Sequence, residues 1–372
     1  MGGRMAEQEG IRSTDNKRKY LIQPYHTNGL NWRLTPEEPR QNNIVVVSGF
    51  NPSWWTNEYG IMFGREFHLD PQVHRATLVR MKSLLQSRFG DLPGFDSGPD
   101  YENVHLMERR YGDALVTVLF GCEVSFDDAS GHPFAAELNL DDDAVLRLVV
   151  PDVANHPIIQ RLFSDGPESG KAIVGELGFE GVINIAYKLR GMRLFEDMID
   201  RPKLARHLFE VVWQTLDDLV HLVRHKQDPE SHRPTWFVNC TCMANMISGR
   251  MYREQLLEFD HRFRAGFDLF GVHTCNWTVD PYLDGLSELP DLAYLDMGAD
   301  SNLGRVHRLF PNLDLSVFFH PERLRSLHER NVHKEITELG KRIGRGYILL
   351  SDLEVGTTDG QIRAAYEAAA KL

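Results

Sequence analysis

The side chains best suited to chemistry form two pairs with the same spacing, His273 with Cys275 and Cys240 with Cys242. Alternation along a strand puts both members of a pair on one face, so His273 and Cys275 point together. At least one thiol of the other pair is expected nearby. Zinc binds this mixture of nitrogen and sulfur, and a catalytic zinc needs three protein ligands and one exchangeable position. The competing interpretation is that these cysteines are small buried hydrophobes.

Two carboxylates also follow apolar runs. Asp296 ends one run and is predicted as a ligand, a base or a group orienting His273, with a helix N-cap as the alternative. Glu176 ends another and is either catalytic or paired with a neighbouring cation. The predicted catalytic residues are Asp296, Glu176 and His273. The predicted metal ligands are His273, Cys275, Cys240 and Cys242.

Three further residues are candidates for contacts with a bound cofactor. Asn51 and Trp54 follow the first apolar run in an aromatic-rich segment, and Asn276 follows Cys275 directly. Aromatic rings can wall a ligand pocket, although they also pack loops onto a core. We predict cofactor contacts at Asn51, Trp54 and Asn276.

These residues must be positioned by alternating strands and helices. Eight apolar runs predict strands: Ile44–Gly49, Ala114–Cys122, Ala172–Leu177, Trp236–Cys242, Phe270–Cys275, Leu292–Met297, Leu313–Phe319 and Tyr347–Ser351. Apolar residues three and four apart predict helices between them: Arg75–Phe89, Pro202–Arg224, Tyr252–Phe267 and Leu327–Ile343. Strands that alternate with helices in this way predict a parallel sheet covered by helices.

The fold class is therefore α/β, and the count of eight strands favours a single (β/α)8 TIM barrel. An open doubly wound sheet fits the alternation too, but no glycine-rich dinucleotide fingerprint follows the first strand. Residues 1–40 are predicted as a partly disordered N-terminal arm and residues 41–372 as the barrel. An acidic region, Glu123–Asp165, is expected to be an inserted loop and helix with solvated charges.

Composition excludes several classes of protein. The net charge of −12 argues against nucleic acid as a partner, because such proteins need clustered Lys and Arg. No stretch approaches the roughly 20 apolar residues of a membrane span, and the N-terminus lacks a signal peptide's apolar core. We therefore expect a cytoplasmic protein without a membrane partner.

Several short segments resemble the uroporphyrinogen decarboxylase-like superfamily, which includes methyltransferases acting with corrinoid proteins, coenzyme M or tetrahydrofolate. The resemblance runs from about Asn43 to the C-terminus. It rests on Val150-Pro151-Asp152, Leu189-Arg190-Gly191, Met246-Ile247-Ser248, His273-Thr274-Cys275-Asn276 and Tyr347-Ile348-Leu349-Leu350-Ser351 with Glu354. It implies a (β/α)8 barrel, often dimeric, in which His273 and Cys275 match two zinc ligands. Leu353 stands where the third ligand, a cysteine, is expected.

The resemblance implies a methyltransferase that moves a methyl group between a small molecule and a corrinoid carried by a partner protein, with zinc as a cofactor. The missing cysteine leaves two possibilities: zinc has been lost, or Cys240, Cys242 or Asp296 completes the site. Residues 49–55 contain no arginine to grip substrate carboxylates, which makes porphyrinogen decarboxylation unlikely to be the reaction. A decarboxylase or lyase of a small acid and a catalytically inactive binding subunit are the alternatives.

Overall fold

The described part of the chain begins at Asn43. The structure, a computed structural model, describes residues 43–93, 95, 105–106, 111–128, 133–164, 173–174, 180–227 and 236–372. The predicted N-terminal arm and Glu176 lie outside these ranges.

Ten strands occur among the described residues. They are β1 (Ile44–Phe50), β2 (His105–Leu106), β3 (Val124–Phe126), β4 (Pro133–Ala135), β5 (Ile173–Val174), β6 (Trp236–Cys240), β7 (Leu269–His273), β8 (Tyr294–Gly298), β9 (Leu315–Phe318) and β10 (Gly346–Leu353). Six of them form one parallel sheet in the order β1-β10-β9-β8-β7-β6. The predicted α/β class with a parallel sheet is thus confirmed.

The other four strands form two small sheets. β2 pairs with β5 in parallel, and β3 pairs with β4 in antiparallel orientation. In chain order, β2 and β5 fall between β1 and β6, the two outer strands of the six-stranded sheet. The antiparallel pair belongs to the predicted insertion.

Sixteen α-helices occur in the described ranges. They are α1 (Pro52–Tyr59), α2 (Arg65–Leu69), α3 (Pro71–Phe89), α4 (Leu115–Leu119), α5 (Asp142–Arg147), α6 (Pro157–Ser164), α7 (Val182–Arg190), α8 (Arg193–Asp200), α9 (Pro202–Gln227), α10 (Gly249–Gln255), α11 (Leu257–Gly266), α12 (Leu283–Leu286), α13 (Leu303–Leu309), α14 (Pro321–Ser326), α15 (Glu329–Ile343) and α16 (Asp359–Ala369). None of the helices in these ranges is long and apolar enough to cross a membrane.

Two predicted elements were wrong. The run Ala114–Cys122 is mostly helical, because α4 occupies Leu115–Leu119 and all five of its residues are buried. An apolar run buried on every side has no periodicity that separates helix from strand. The single helix predicted over Tyr252–Phe267 is two helices, α10 and α11, that meet at Leu256.

The two faces of the six-stranded sheet pack differently. Leu315, Val317 and Ile348 belong to a large apolar cluster that includes residues of the surrounding helices. Phe318 and Leu349 belong to a separate, smaller cluster. Because side chains alternate along a strand, the small cluster marks the face turned away from the helices. The ring of His273 lies 5.9 Å from that of Phe318, which places His273 on this face.

The charges of the acidic insertion are not all solvated, contrary to the prediction. The buried Arg190 side chain donates to Asp197 at 2.7 Å and to Asp142 at 2.5 Å. Arg201 pairs with both carboxylates. The network therefore ties α5, α7 and α8 together through a charge that is shielded from water.

Replacing Arg190 by methionine is expected to lower the free energy of unfolding by about 3 kcal/mol, because it removes from the buried Asp197 the one of its two cationic partners that is itself fully buried. Arg147→Met is the matched control, since Arg147 is 73% exposed and lies 4.0 Å from Asp143. That exposed pair is worth less than about 1 kcal/mol. Urea denaturation of both variants measures the difference, and equal losses would refute the buried network's role.

Candidate metal centre

The candidate site lies where three neighbouring parallel strands end. β6 and β7 pair so that Cys240 is opposite His273, and β8, which carries Asp296, follows on the other side of β7. The backbone N–H of Thr241 donates to the His273 carbonyl at 2.8 Å and extends this register past the strand ends. The sheet thus brings four of the predicted site residues, Cys240, Cys242, His273 and Cys275, to one edge.

The imidazole of His273 is almost fully buried, and a carboxylate binds one of its two nitrogens. Its Nδ1 lies 2.6 Å from Oδ2 of Asp296, so Nδ1–H donates to the carboxylate. Its Nε2 lies 3.0 Å from Sγ of Cys275. With Nδ1 occupied in this way, Nε2 is the nitrogen available to a metal, as in the carboxylate–histidine–zinc arrangement.

Both carboxylate oxygens of Asp296 accept hydrogen bonds from groups of the protein. The Tyr294 hydroxyl donates to Oδ2 at 2.6 Å, and the Thr274 backbone N–H donates to Oδ1 at 2.7 Å. Of the three roles predicted for Asp296, the geometry favours orienting His273. Tyr294 was not among the predicted site residues, although its position two residues before Asp296 on β8 places both side chains on one face.

Three sulfurs gather beside Nε2. Cys242 Sγ lies 2.9 Å from Cys275 Sγ and 3.7 Å from Cys240 Sγ. One ligand atom each from Cys240, Cys242 and His273 falls within 4.8 Å of the others. Cys275 adopts a left-handed backbone conformation, φ +62°, which is uncommon for a non-glycine residue and frequent at functional sites.

Burial, hydrogen bonds and neighbouring charges shift the pKa of the imidazole and of each thiol in this cluster. Burial opposes a charge on His273, but Asp296 and the thiols outweigh it and raise the imidazole pKa well above its usual value. The hydrogen bond between Cys242 and Cys240 lowers the pKa of Cys240 and raises that of Cys242 to about 11. The hydrogen bond with Cys242, followed by burial, raises the pKa of Cys275. Metal binding would displace the protons of the hydrogen-bonded thiols, because cysteine binds a metal in its deprotonated form.

The donor set fits zinc. Tetrahedral ligands at 2.0–2.3 Å from an ion lie about 3.3–3.8 Å from one another, and the Sγ atoms of Cys240 and Cys242 lie 3.7 Å apart. His273, Cys240 and Cys242 supply one imidazole and two thiols within 4.8 Å of one another, which is the donor set of a three-ligand zinc site with a fourth position open. Leu353, by contrast, is fully buried in the large apolar cluster at the end of β10. The sulfur that the resemblance places there is instead available from β6.

The segment carrying Cys242 is fixed by its own contacts. The Met243 backbone N–H donates to Asn184 Oδ1 at 2.9 Å. The Tyr282 hydroxyl lies 2.8 Å from the Ala244 carbonyl and 2.9 Å from that of Ile247. These hydrogen bonds therefore hold in place the turn that carries Cys242.

A buried carboxyl supports β6 from the opposite face. Asp260 accepts hydrogen bonds from Tyr252 at 2.5 Å and from Asn239 at 2.6 Å, with no cation among these partners. Burial outweighs both hydrogen bonds and raises the pKa of Asp260 to about 6. Since Asn239 precedes Cys240, this cluster anchors the strand that delivers two of the thiols.

The raised pKa of Asp260 predicts a pH dependence of stability. Because the folded pKa exceeds the unfolded one, its contribution is complete below about pH 4 and is lost as pH rises through about 6. From pH 4 to pH 7, Asp260→Asn should therefore gain about 2 kcal/mol in unfolding free energy relative to wild type. Asp291→Asn, at a side chain 89% exposed, is the control. A difference that stays constant with pH would contradict the prediction.

The predicted cofactor contacts have other partners in the structure. Asn51 caps α1 by accepting from the Ser53 N–H at 2.9 Å. Trp54 is buried, with its ring 4.4 Å from Phe50 and the Arg88 guanidinium 5.0 Å from it. Asn276 is exposed in the loop after β7. Contacts of these three with a cofactor stay predictions, as does the role of Glu176.

The fold has a counterpart of known structure. The chain superimposes on the methyltransferase from Methanosarcina mazei with a TM-score of 0.62, over 90% of this chain and 95% of that one. The two chains share a fold. Their sequences are 14% identical, so the likeness concerns architecture alone. No protein-family model and no curated protein matches this sequence.

Proposed function

We propose that the protein is a methyltransferase whose site is the cluster of Cys240, Cys242, His273 and Cys275. The observation that carries the proposal is the gathering of three thiols and a carboxylate-oriented imidazole at the ends of β6 and β7. The fold shared with a methyltransferase from Methanosarcina mazei supports it.

The proposed architecture is a closed (β/α)8 barrel spanning residues 41–372. Eight parallel strands are available when the pair β2 and β5 is placed between β1 and β6. Closure would require β1 to pair with β2 and β5 with β6. The carboxyl ends of all eight strands would then surround one opening, where barrel enzymes hold their active sites.

The proposed cofactor is zinc, held by His273 through Nε2 and by the neighbouring thiols. When bound, zinc acts as a Lewis acid that lowers the pKa of a coordinated substrate thiol or other heteroatom. Asp296 fixes the His273 tautomer, and the buried Cys240 anchors the inner side of the cluster. Cys242 and Cys275 are partly exposed, and they define the side from which a substrate approaches.

The proposed reaction moves a methyl group between a small molecule and a corrinoid carried by a separate protein. Asn51, Trp54 and Asn276 are proposed contacts for the cofactor, and Glu176 is a proposed second catalytic carboxylate. If the site works without zinc, Asp296, Glu176 and His273 would hold and polarise a pterin or an amine. A homodimer is proposed from the superfamily resemblance.

Metal content and turnover test the proposal separately. Purified protein is expected to contain about one zinc per chain by elemental analysis, and Cys275→Ser is expected to lower it. Cys122→Ala is the matched control, since Cys122 is a buried free cysteine. The absorbance of an added methylated corrinoid protein should change with turnover. No change with any thiol, amine or pterin acceptor, or with their methylated forms, would favour the lyase or the binding subunit.

A further inference from the structure

The closest pair of sulfurs in the cluster is Cys242 with Cys275. Their Sγ atoms lie 2.9 Å apart, against 3.7 Å for Cys242 and Cys240. Both residues are free cysteines and partly exposed, whereas Cys240 is buried. A reagent arriving from solvent therefore meets Cys242 and Cys275 first.

The backbone brings these two residues side by side past the ends of β6 and β7. Cys240 is opposite His273 in the ladder of the two strands, and each member of the close pair follows two residues later. The Sγ–Sγ distance of 2.9 Å exceeds a disulfide bond length of about 2.05 Å by less than about 1 Å, which side-chain rotation can close. The contact between Thr241 N–H and the His273 carbonyl keeps the chains together beyond the strand ends. A bond between the sulfurs thus requires no rearrangement of the sheet.

We propose that Cys242 and Cys275 form a redox-active dithiol that a hydroperoxide oxidises to a disulfide. One thiol gives up its proton as its sulfur attacks a peroxide oxygen; the O–O bond breaks, a sulfenic acid forms, and the departing oxygen takes that proton and leaves as water or an alcohol. The second thiol attacks the sulfenic sulfur, forms the S–S bond and releases water. Two sulfurs lose two electrons and the peroxide gains them. A small dithiol reverses the reaction by exchange.

Oxidation and metal binding exclude each other at this site. The disulfide consumes Cys242, which is one of the two thiols that lie with His273 within 4.8 Å of one another. A bound ion needs the same sulfur as a free thiolate. This coupling rests on the proposed metal centre. The dithiol itself does not, because it needs only the two sulfurs.

The test uses the full chain, either loaded with zinc or stripped by a chelator, and exposed to hydrogen peroxide. After remaining thiols are alkylated, trypsin separates residues 227–250, which hold Cys240 and Cys242, from residues 265–305, which hold Cys275. Stripped protein is expected to give a cross-link between these peptides in which Cys240 is alkylated. Dithiothreitol should remove the cross-link, and zinc should slow its formation at least tenfold.

Variants assign the bond to its sulfurs. Cys242→Ser and Cys275→Ser should abolish the cross-link, while Cys240→Ser and Cys122→Ala should retain it. A bond between Cys240 and Cys242, a cross-link that survives in Cys242→Ser, or no cross-link in stripped wild type would overturn the proposal. The wild-type fragmentation pattern decides the question even if a variant fails to fold. Equal oxidation rates with and without zinc would reject the coupling alone, and elemental analysis independently tests the metal centre.

Discussion

Cys240→Ser is expected to be purified with less than about a tenth of the zinc of the wild-type protein, because a hydroxyl replaces a buried thiolate donor. Cys240 is the proposed ligand whose replacement best distinguishes a metal site built on β6 and β7 from one built on β7 and β10. It lies opposite His273 and is buried behind Cys242. Its loss removes one of the three atoms that lie within 4.8 Å of each other.

Elemental analysis after dialysis measures this loss, with Cys122→Ala as the control that should keep its zinc. Thermal denaturation of metal-free samples shows whether the serine variant folds as the wild type does. Full zinc content in Cys240→Ser would mean that His273 and Cys275 bind the ion without β6, and the assignment of the third donor would be wrong.

Asp296→Asn is expected to lower zinc affinity and methyl-transfer activity by 10- to 100-fold while leaving all four donor atoms present. The carboxylate accepts from His273, Tyr294 and Thr274, and it keeps the proton on Nδ1 of the imidazole. An amide offers one acceptor oxygen and one donor group, so it tolerates the tautomer that protonates Nε2. That tautomer has no lone pair on Nε2 for a metal.

Tyr294→Phe provides the graded comparison for Asp296→Asn. It removes one hydrogen bond to Oδ2 but leaves the carboxylate bound to His273 and Thr274. We expect a loss of zinc affinity several-fold smaller than for Asp296→Asn, measured by competition with a chromophoric chelator. Equal affinities for wild type and Asp296→Asn would show that the carboxylate does not orient the ligand.

The sequence predicted the strands that carry the thiols well, because β6 to β10 are short apolar runs bounded by polar residues. Alternation predicted that His273 and Cys275 point to one side of a strand, but β7 ends at His273 and β6 at Cys240, so Cys275 and Cys242 lie beyond the strand ends. It failed for α4, where every residue is buried and periodicity is lost. Spacing did not show that Arg190 pairs with Asp142 and Asp197, since that contact depends on how α5, α7 and α8 pack.

The third sulfur illustrates the limit of motif comparison. The resemblance placed it at the end of β10, at the position of Leu353, whereas the sheet order places β6 beside β7. The spacing Cys-x-Cys was visible in the sequence, but its proximity to His-x-Cys depends on the register of two parallel strands. Only the pairing of Cys240 with His273 supplied that register.

X-ray absorption at the zinc edge of the purified protein tests the metal centre most directly. It is predicted to show two to three sulfurs at about 2.3 Å and one nitrogen at about 2.0–2.1 Å, with one sulfur fewer in Cys242→Ser. A coordination shell of oxygen and nitrogen alone, or an unchanged number of sulfur ligands in Cys242→Ser, would contradict the proposed metal centre.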